Sequence, residues 1–204
     1  MIILDFGSGN TCKNSPNCVK LMIDELKKVD TGKHEVTIKW QLFREAGDNL
    51  PLDRDIFTFA YNYASKVGYK TTASVFDISS LRFLLKYDIP FVKIANRPDL
   101  YWLAGEVPRK IPVYRSVRWG GEVTVTDKEK ILCCISEYPA PKIEYVANFA
   151  PEALSAGISD HTTDFKLYHK YNPEVYECHY KLADSTGLDA GSFSRTPAQL
   201  SEIL

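Results

Sequence analysis

The chain has 204 residues, enough for one domain that buries roughly 70% of its unfolded surface without staples. Its 25 basic and 26 acidic side chains leave a net charge of −1 with both signs scattered, which excludes nucleic acid or an anionic membrane as the main partner. Five cysteines at irregular spacing argue against a disulfide framework and for a reducing, cytoplasmic setting, and no apolar run approaches a membrane span.

Residues 2–6 read as a first strand entered at once, leaving no room for a secretory leader. Ser15-Pro16 opens a helix running to about Lys28, with Val19, Met22, Ile23 and Leu26 on one side. Glu35 to Phe43 is the second strand. A helix carrying Ile56, Phe59, Ala60, Tyr63 and Val67 follows and stops at Gly68. Tyr69 to Ser74 is the third strand, Asp77 caps a short helix, and Ile89 to Ala95 is the fourth strand. Leu100 to Glu106 makes a turn or two of helix, Pro112 to Val117 is the fifth strand and Lys130 to Ser136 the sixth. Residues 150–154 read as at most a helical turn, 155–160 as the seventh strand, Phe165 to Tyr171 as a helix and Val175 to Tyr180 as the eighth strand. Thr196-Pro197 opens a last helix with Leu200, Ile203 and Leu204.

Strands alternating with helices imply a parallel sheet with crossovers. Eight of them predict an α/β fold, a compact (β/α)8 TIM barrel over 1–204 as one domain, with several shortened or missing helices. An open doubly wound sheet is the alternative, although Gly7-Ser8-Gly9-Asn10 only weakly echoes its phosphate turn.

In a barrel, reactive groups stand at the C-terminal ends of strands. Asp5, Lys39, Gln41, Ser74, Lys93, Asn96, Ser116, Ser136, Ser159, His161, Glu177 and His179 all fall there. Lys39 and Lys93 lie inside apolar runs, and a buried ammonium needs a partner. With the hydroxyls they make an anion pocket for phosphate or carboxylate; core ion pairs to Asp5 and Glu177 are the alternative, and both can hold at once. Strand alternation puts Ser159 with His161 and Glu177 with His179. On neighbouring strands, two imidazoles and a carboxylate suit a divalent metal such as Mn2+. Cys178 points away from His179, Cys133-Cys134 reads as apolar filling, and His34 and His169 are assigned no role.

These motifs resemble the sialic acid synthases (N-acetylneuraminate synthases) and their relatives making similar nonulosonic acids. The family's G-[IL]-S-D-H-T stands at Gly157 to Thr162, and its E-[RK]-H-[FY] at Glu177 to Tyr180. Its G-P-D is similar to Gly187-Leu188-Asp189, with Ser194 and Pro197 following. Upstream, Ile38-Lys39-Trp40-Gln41, Ala73 to Asp77, Ile89 to Asn96 and Tyr138-Pro139-Ala140-Pro141 match in order. The resemblance covers essentially the whole chain. It implies a barrel that condenses phosphoenolpyruvate with an N-acyl amino-sugar aldose, N-acetylmannosamine in the best-known members. It implies a divalent metal, usually Mn2+, on His161 and His179. Lys39, Ser74, Lys93, Asn96, Ser116, Ser136 and Ser159 would surround phosphoenolpyruvate, and Gln41, Tyr138 and Asp189 would face the sugar. Asp5 and Glu177 would line the floor, with Glu177 the first candidate for a base that activates water.

The pattern departs from the family in four places. Asp5 to Asn10 stands where E-I-G-x-N-H is usual, so the acid is shortened and the histidine absent. Arg97-Pro98 stands where G-E follows, and Ser116-Val117-Arg118-Trp119 where S-T-G-M is usual. The C-terminal antifreeze-like domain of the family has no counterpart within these 204 residues. By parity Arg118 would follow Ser116 into the mouth. With Arg97, that favours a more anionic or phosphorylated acceptor. A Schiff-base lyase using Lys39 or Lys93, or a sugar- or protein-binding barrel without activity, is the competing reading. A trimmed barrel with an exposed flank would pair with a copy of itself as a homodimer.

Overall fold

In a computed structural model, described over residues 1–45, 47–120, 124–141 and 157–204, eight parallel strands close into a barrel in sequence order. They are β1 (Ile2–Asp5), β2 (Val36–Leu42), β3 (Lys70–Val75), β4 (Val92–Ile94), β5 (Val113–Arg118), β6 (Glu129–Cys134), β7 (Gly157–Asp160) and β8 (Val175–His179). The seam is sealed by β8 pairing with β1, Asp5 opposite His179 and Ile3 opposite Glu177. Asp5 is also opposite Lys39 on β2. The open doubly wound sheet is thereby excluded. The helical turn expected at 150–154 and residues 155–156 of the expected seventh strand lie outside the described residues.

The helices are α1 (Gly9–Cys12), α2 (Pro16–Val29), α3 (Arg54–Lys66), α4 (Ile78–Leu84), α5 (Leu103–Glu106), α6 (Lys166–Tyr171) and α7 (Pro197–Leu200). The Ser15 side chain accepts from the Cys18 N–H at the start of α2. Asp77 caps α4 through the Ser80 N–H at 2.8 Å, each cap satisfying an amide the helix itself cannot. The Gly7-Ser8-Gly9-Asn10 stretch leads into the single turn of α1 and builds no dinucleotide turn. β4 is shorter than its apolar run predicts, because Pro90 has no N–H to give a ladder. The expected helix at 100–106 divides into a 3-10 turn at Pro98–Leu100 and the one-turn α5.

Alternation along the strands sorts the interior. Ile3, Phe91, Tyr114, Leu132 and Val175 plug the lower barrel as a small apolar cluster. Two residues further along β1, β5, β6 and β8, and on β4 two residues past Phe91, the inward positions become Asp5, Ser116, Cys134, Glu177 and Lys93. The outward positions, among them Leu4, Ile38, Val92, Val113 and Ile158, join the larger core beneath the helices. The apolar plug therefore carries a polar upper layer, as the strand period of two requires. No helix among the described residues is long and apolar enough to cross a membrane.

Candidate active site

The polar upper layer opens into a cavity of about 410 Å³ at the C-terminal ends of the strands. Every residue expected at the site lines this cavity except Arg118. Arg118 is the last residue of β5, and the chain turns away at once through Gly120 (φ 72°). Its side chain is exposed and borders a separate cleft outside the wall, so parity with Ser116 fails where the strand ends. Arg97 does line the cavity, but its guanidinium is held in a two-pronged pair by Asp99, at 2.9 and 2.8 Å.

On the floor, Lys39 Nζ lies 2.5 Å from Asp5 Oδ2, donates to Ser74 Oγ at 2.9 Å and stands 3.4 Å from Glu177. Lys93 Nζ donates to Ser116 Oγ at 2.6 Å and lies 3.5 Å from the other oxygen of Glu177. All four charged groups are at most 4% exposed. Ion-pair layer and cavity floor are thus one structure, because the strand ends that hold the pairs also face the opening. Burial opposes the charge on Asp5, yet Lys39 and His179 beside it hold its carboxyl well below the usual range. Burial likewise works against Glu177, and Lys93 and Lys39 outweigh it, leaving the carboxyl lowered. Burial also opposes the charge on Lys39, but Asp5 and Glu177 raise it overall. Lys93 has weaker support: burial pulls it down, Glu177 opposes and Lys39 reinforces, and the result is lowered.

Gln41 Nε2 bridges two carboxylates, donating to Asp5 Oδ2 at 3.0 Å and Asp189 Oδ1 at 2.8 Å. Asp189 arrives on a 3-10 turn, Leu188–Ala190, that packs against α1. The approach needs Gly7, which sits at φ 74° and donates its N–H to Asp5 Oδ1 at 3.0 Å. A Cβ at that position would run into Thr11 and come within 2.8 Å of Asp189. Burial and the neighbouring Asp5 charge push the Asp189 carboxyl up to about 7.

His161 and His179 face one another with ring centroids 5.4 Å apart. His161 Nδ1 lies 2.7 Å from the Ile135 carbonyl, and burial together with His179 lowers its pKa to about 4. A neutral ring next to a carbonyl must donate from Nδ1, which leaves the Nε2 lone pair free. His179 Nδ1 stands 3.5 Å from Asp189 and 3.8 Å from Asp5, buried without a hydrogen bond, as is Asp189 Oδ2. Among the described residues no three His, Cys, Asp or Glu side chains form a ready cluster for a metal ion. The donors present are two imidazoles, one of them fixed in the tautomer a metal ligand needs, beside a buried carboxylate oxygen without a hydrogen bond. That set fits a divalent cation completed by water.

The Tyr138 loop forms the roof. Its ring packs on His161 at 4.3 Å and on Phe193 at 5.1 Å, and Ala140 N–H donates to the His161 carbonyl at 2.8 Å. Asn96 donates to Ser136 Oγ at 2.9 Å and accepts from the Tyr101 hydroxyl at 3.0 Å. Sequence reasoning missed Cys134, which lines the cavity 3.6 Å from Ser136 Oγ. The signal was available, since Cys134 and Ser136 share a strand face. Leu188 and Phe76 on the rim carried no such signal.

No protein-family model and no curated protein matches the sequence. Solved structures do match. The N-acetylneuraminic acid (sialic acid) synthetase of Leptospira borgpetersenii, solved with citrate, superposes with a TM-score of 0.76 at 20% identity, over 98% of this chain and 80% of that one. The putative spore coat polysaccharide biosynthesis protein E of Chromobacterium violaceum gives 0.78 at 16% identity, over 98% and 71%. A truncated 3-deoxy-D-arabino-heptulosonate 7-phosphate synthase from Thermotoga maritima gives 0.64 at 12% identity, over 99% and 82%. These likenesses establish the fold as the barrel those proteins share.

Proposed function

We propose that this chain is a phosphoenolpyruvate-dependent, metal-assisted synthase. It joins phosphoenolpyruvate to an N-acyl amino-sugar aldose, N-acetylmannosamine-like, giving a sialic or related nonulosonic acid and phosphate. The observation that carries the reading is the meeting of Lys39, Lys93 and a ring of neutral donors with two opposed imidazoles in one cavity. The fold shared with a sialic acid synthetase and with a spore coat polysaccharide protein supports it, as do the sequence motifs at 157–162 and 177–180.

Phosphoenolpyruvate is strongly anionic near neutrality. Lys39 and Lys93 answer that charge, while Ser74, Asn96, Ser116, Ser136 and Ser159 supply neutral donors fixed before the ligand arrives. His161 and His179 would hold a divalent cation, Mn2+ by donor type, which supplies Lewis-acid polarisation of the aldehyde oxygen when bound. Gln41, Tyr138 and Asp189 would orient the open-chain sugar so that its aldehyde carbon meets the enol carbon; such positioning is worth up to about 7–11 kcal/mol in favourable systems. After the carbon–carbon bond forms, water adds to the former enol C2, its proton passes to a carboxylate, and phosphate leaves with the bridging oxygen. Glu177 is the assigned acceptor of that proton. Its depressed carboxyl is a poor base while both lysines face it. Drawing their charge toward the substrate anion raises its basicity where the water must be deprotonated.

The test is direct: protein, Mn2+, phosphoenolpyruvate and a panel of N-acyl hexosamines, with phosphate release and product mass as readouts. Turnover with none of them, together with no Mn2+ uptake, overturns the reading. The lowered Lys93 favours a second one, a Schiff-base lyase, since a neutral buried amine is the form that attacks a carbonyl. Borohydride trapping with pyruvate separates the two, because the synthase route forms no imine.

A further inference from the structure

Outside the barrel wall, on the face of β5 and β6 turned away from the central cavity, lies a second cleft of about 600 Å³. It exists because its cover is thin. α5 is a single turn, and among the described residues the link from β5 to β6 holds no helix. Arg115 points outward from β5 into this space. Its guanidinium lies on the Tyr101 ring, 4.4 Å from the centroid, and its Nε donates to Glu129 at 2.7 Å. Nη2 donates to the Thr124 carbonyl at 2.6 Å. Those bonds orient the fork and use two of its five N–H groups; among the described residues Nη1 makes no hydrogen bond. Arg118, exposed and in no ion pair among the described residues, lines the same cleft. So does Lys128, whose ammonium gives a hydrogen bond to the Val107 carbonyl at 2.9 Å. The carboxylate in this lining, Glu129, is already engaged by Arg115 and by the Thr126 N–H and hydroxyl. Among the described residues two cations of this lining are therefore left without a carboxylate partner. Pro98, Ala104 and Val117 give the same lining an apolar wall.

We infer that this cleft binds a phosphate monoester, its phosphate held by Arg115, Arg118 and Lys128 and its organic part laid on the apolar wall. A guanidinium already fixed by stacking and two hydrogen bonds loses little freedom on binding an oxyanion, and its planar fork matches tetrahedral oxygens. The volume exceeds what a bare phosphate fills, and the apolar wall has no use for one. Asn96 borders both spaces, so the occupant would sit one side chain away from the central cavity. The inference does not depend on what that cavity does.

The experiment soaks crystals of the wild type, Arg118→Ala and Lys128→Ala in a concentration series of glycerol 3-phosphate, of inorganic phosphate, and of glycerol. Both substitutions change side chains at the rim and leave the strands intact. The expected result is glycerol 3-phosphate density in the cleft of the wild type and none for glycerol. The half-saturating concentration should rise about tenfold in each variant, the size of one lost charged hydrogen bond. Density only in the central cavity, or cleft occupancy unchanged in both variants, overturns the inference. Equal occupancy by inorganic phosphate overturns the monoester assignment. Because the same maps read the central cavity separately, the failure of either reading is seen without the other.

Discussion

The imidazole of His161 gives its Nδ1 proton to the backbone carbonyl of Ile135, 2.7 Å away. A main-chain oxygen only accepts, so the tautomer is fixed by the fold and the lone pair on Nε2 is left free. His161→Ala should lower the affinity for Mn2+ by at least about tenfold, with the far-ultraviolet circular dichroism unchanged. Titration of the metal followed by electron paramagnetic resonance reads it; wild-type affinity in the variant would remove His161 from the site.

Glu177 lies between two buried ammonium groups, at 3.4 and 3.5 Å. Replacing it by Gln leaves both without their shared counter-charge, a loss of about 3–5 kcal/mol by the usual measure of a broken buried pair. Lys93→Met removes a charge that burial already disfavours and leaves Glu177 with Lys39. Urea unfolding should therefore rank Glu177→Gln as clearly the more damaging change. The reverse order would mean that Lys93 is the anchor of the layer.

Asp189 sets a pH dependence of known sign. Its carboxyl is raised from 3.8 to about 7 by burial and by Asp5, so the folded state holds a proton that the unfolded chain has released. Between about pH 4 and 7 this carboxyl makes the folded state hold a proton that the unfolded chain lacks, so the contribution of Asp189 to stability falls as pH rises. Asp5 contributes mainly below that window, whereas His161, lowered from 6.5 to about 4, contributes within it with the opposite sign. In chelator-treated protein, Asp189→Asn should remove this falling contribution, making the slope of stability against pH more positive than in the wild type, and should raise the urea midpoint at pH 8. A variant with the wild-type slope would show that Asp189 is ionised throughout.

The thiols give a test of packing. Cys12, Cys133, Cys134 and Cys178 are buried, and Cys18 is partly exposed. Burial pushes the Cys12 thiol up to about 11, further from the reactive thiolate. Ellman's reagent at pH 8 should titrate one thiol of the five quickly and the others only in denaturant. Rapid reaction of two or more would show that the wall opens in solution.

Much of the site was legible because a strand's period of two is rigid. Once Lys39, Lys93, Glu177 and His179 were placed on inward faces, closure of the sheet brought them together. The same rule failed at Arg118, where the strand ends and alternation no longer directs a side chain. It was under-used at Cys134, two residues before Ser136. The Gln41 bridge between Asp5 and Asp189 was not legible, since it depends on a turn more than a hundred residues away and on clearance above Gly7. Nor was the outer cleft. It is set by a helix that shrank to one turn, and a sequence marks the residues around such a gap without marking the gap.

The seam between β1 and β8 has a consequence for how the molecule is made. Ile3 is matched with Glu177 and Asp5 with His179, so during translation β1 waits with one flank bare until β8 has been made and has left the ribosome. Pairings this remote along the chain form slowly, and a waiting flank is a place for other nascent chains to attach. Yield in a cell should thus respond to chaperone supply and to growth temperature, even for variants whose finished barrels are equally stable.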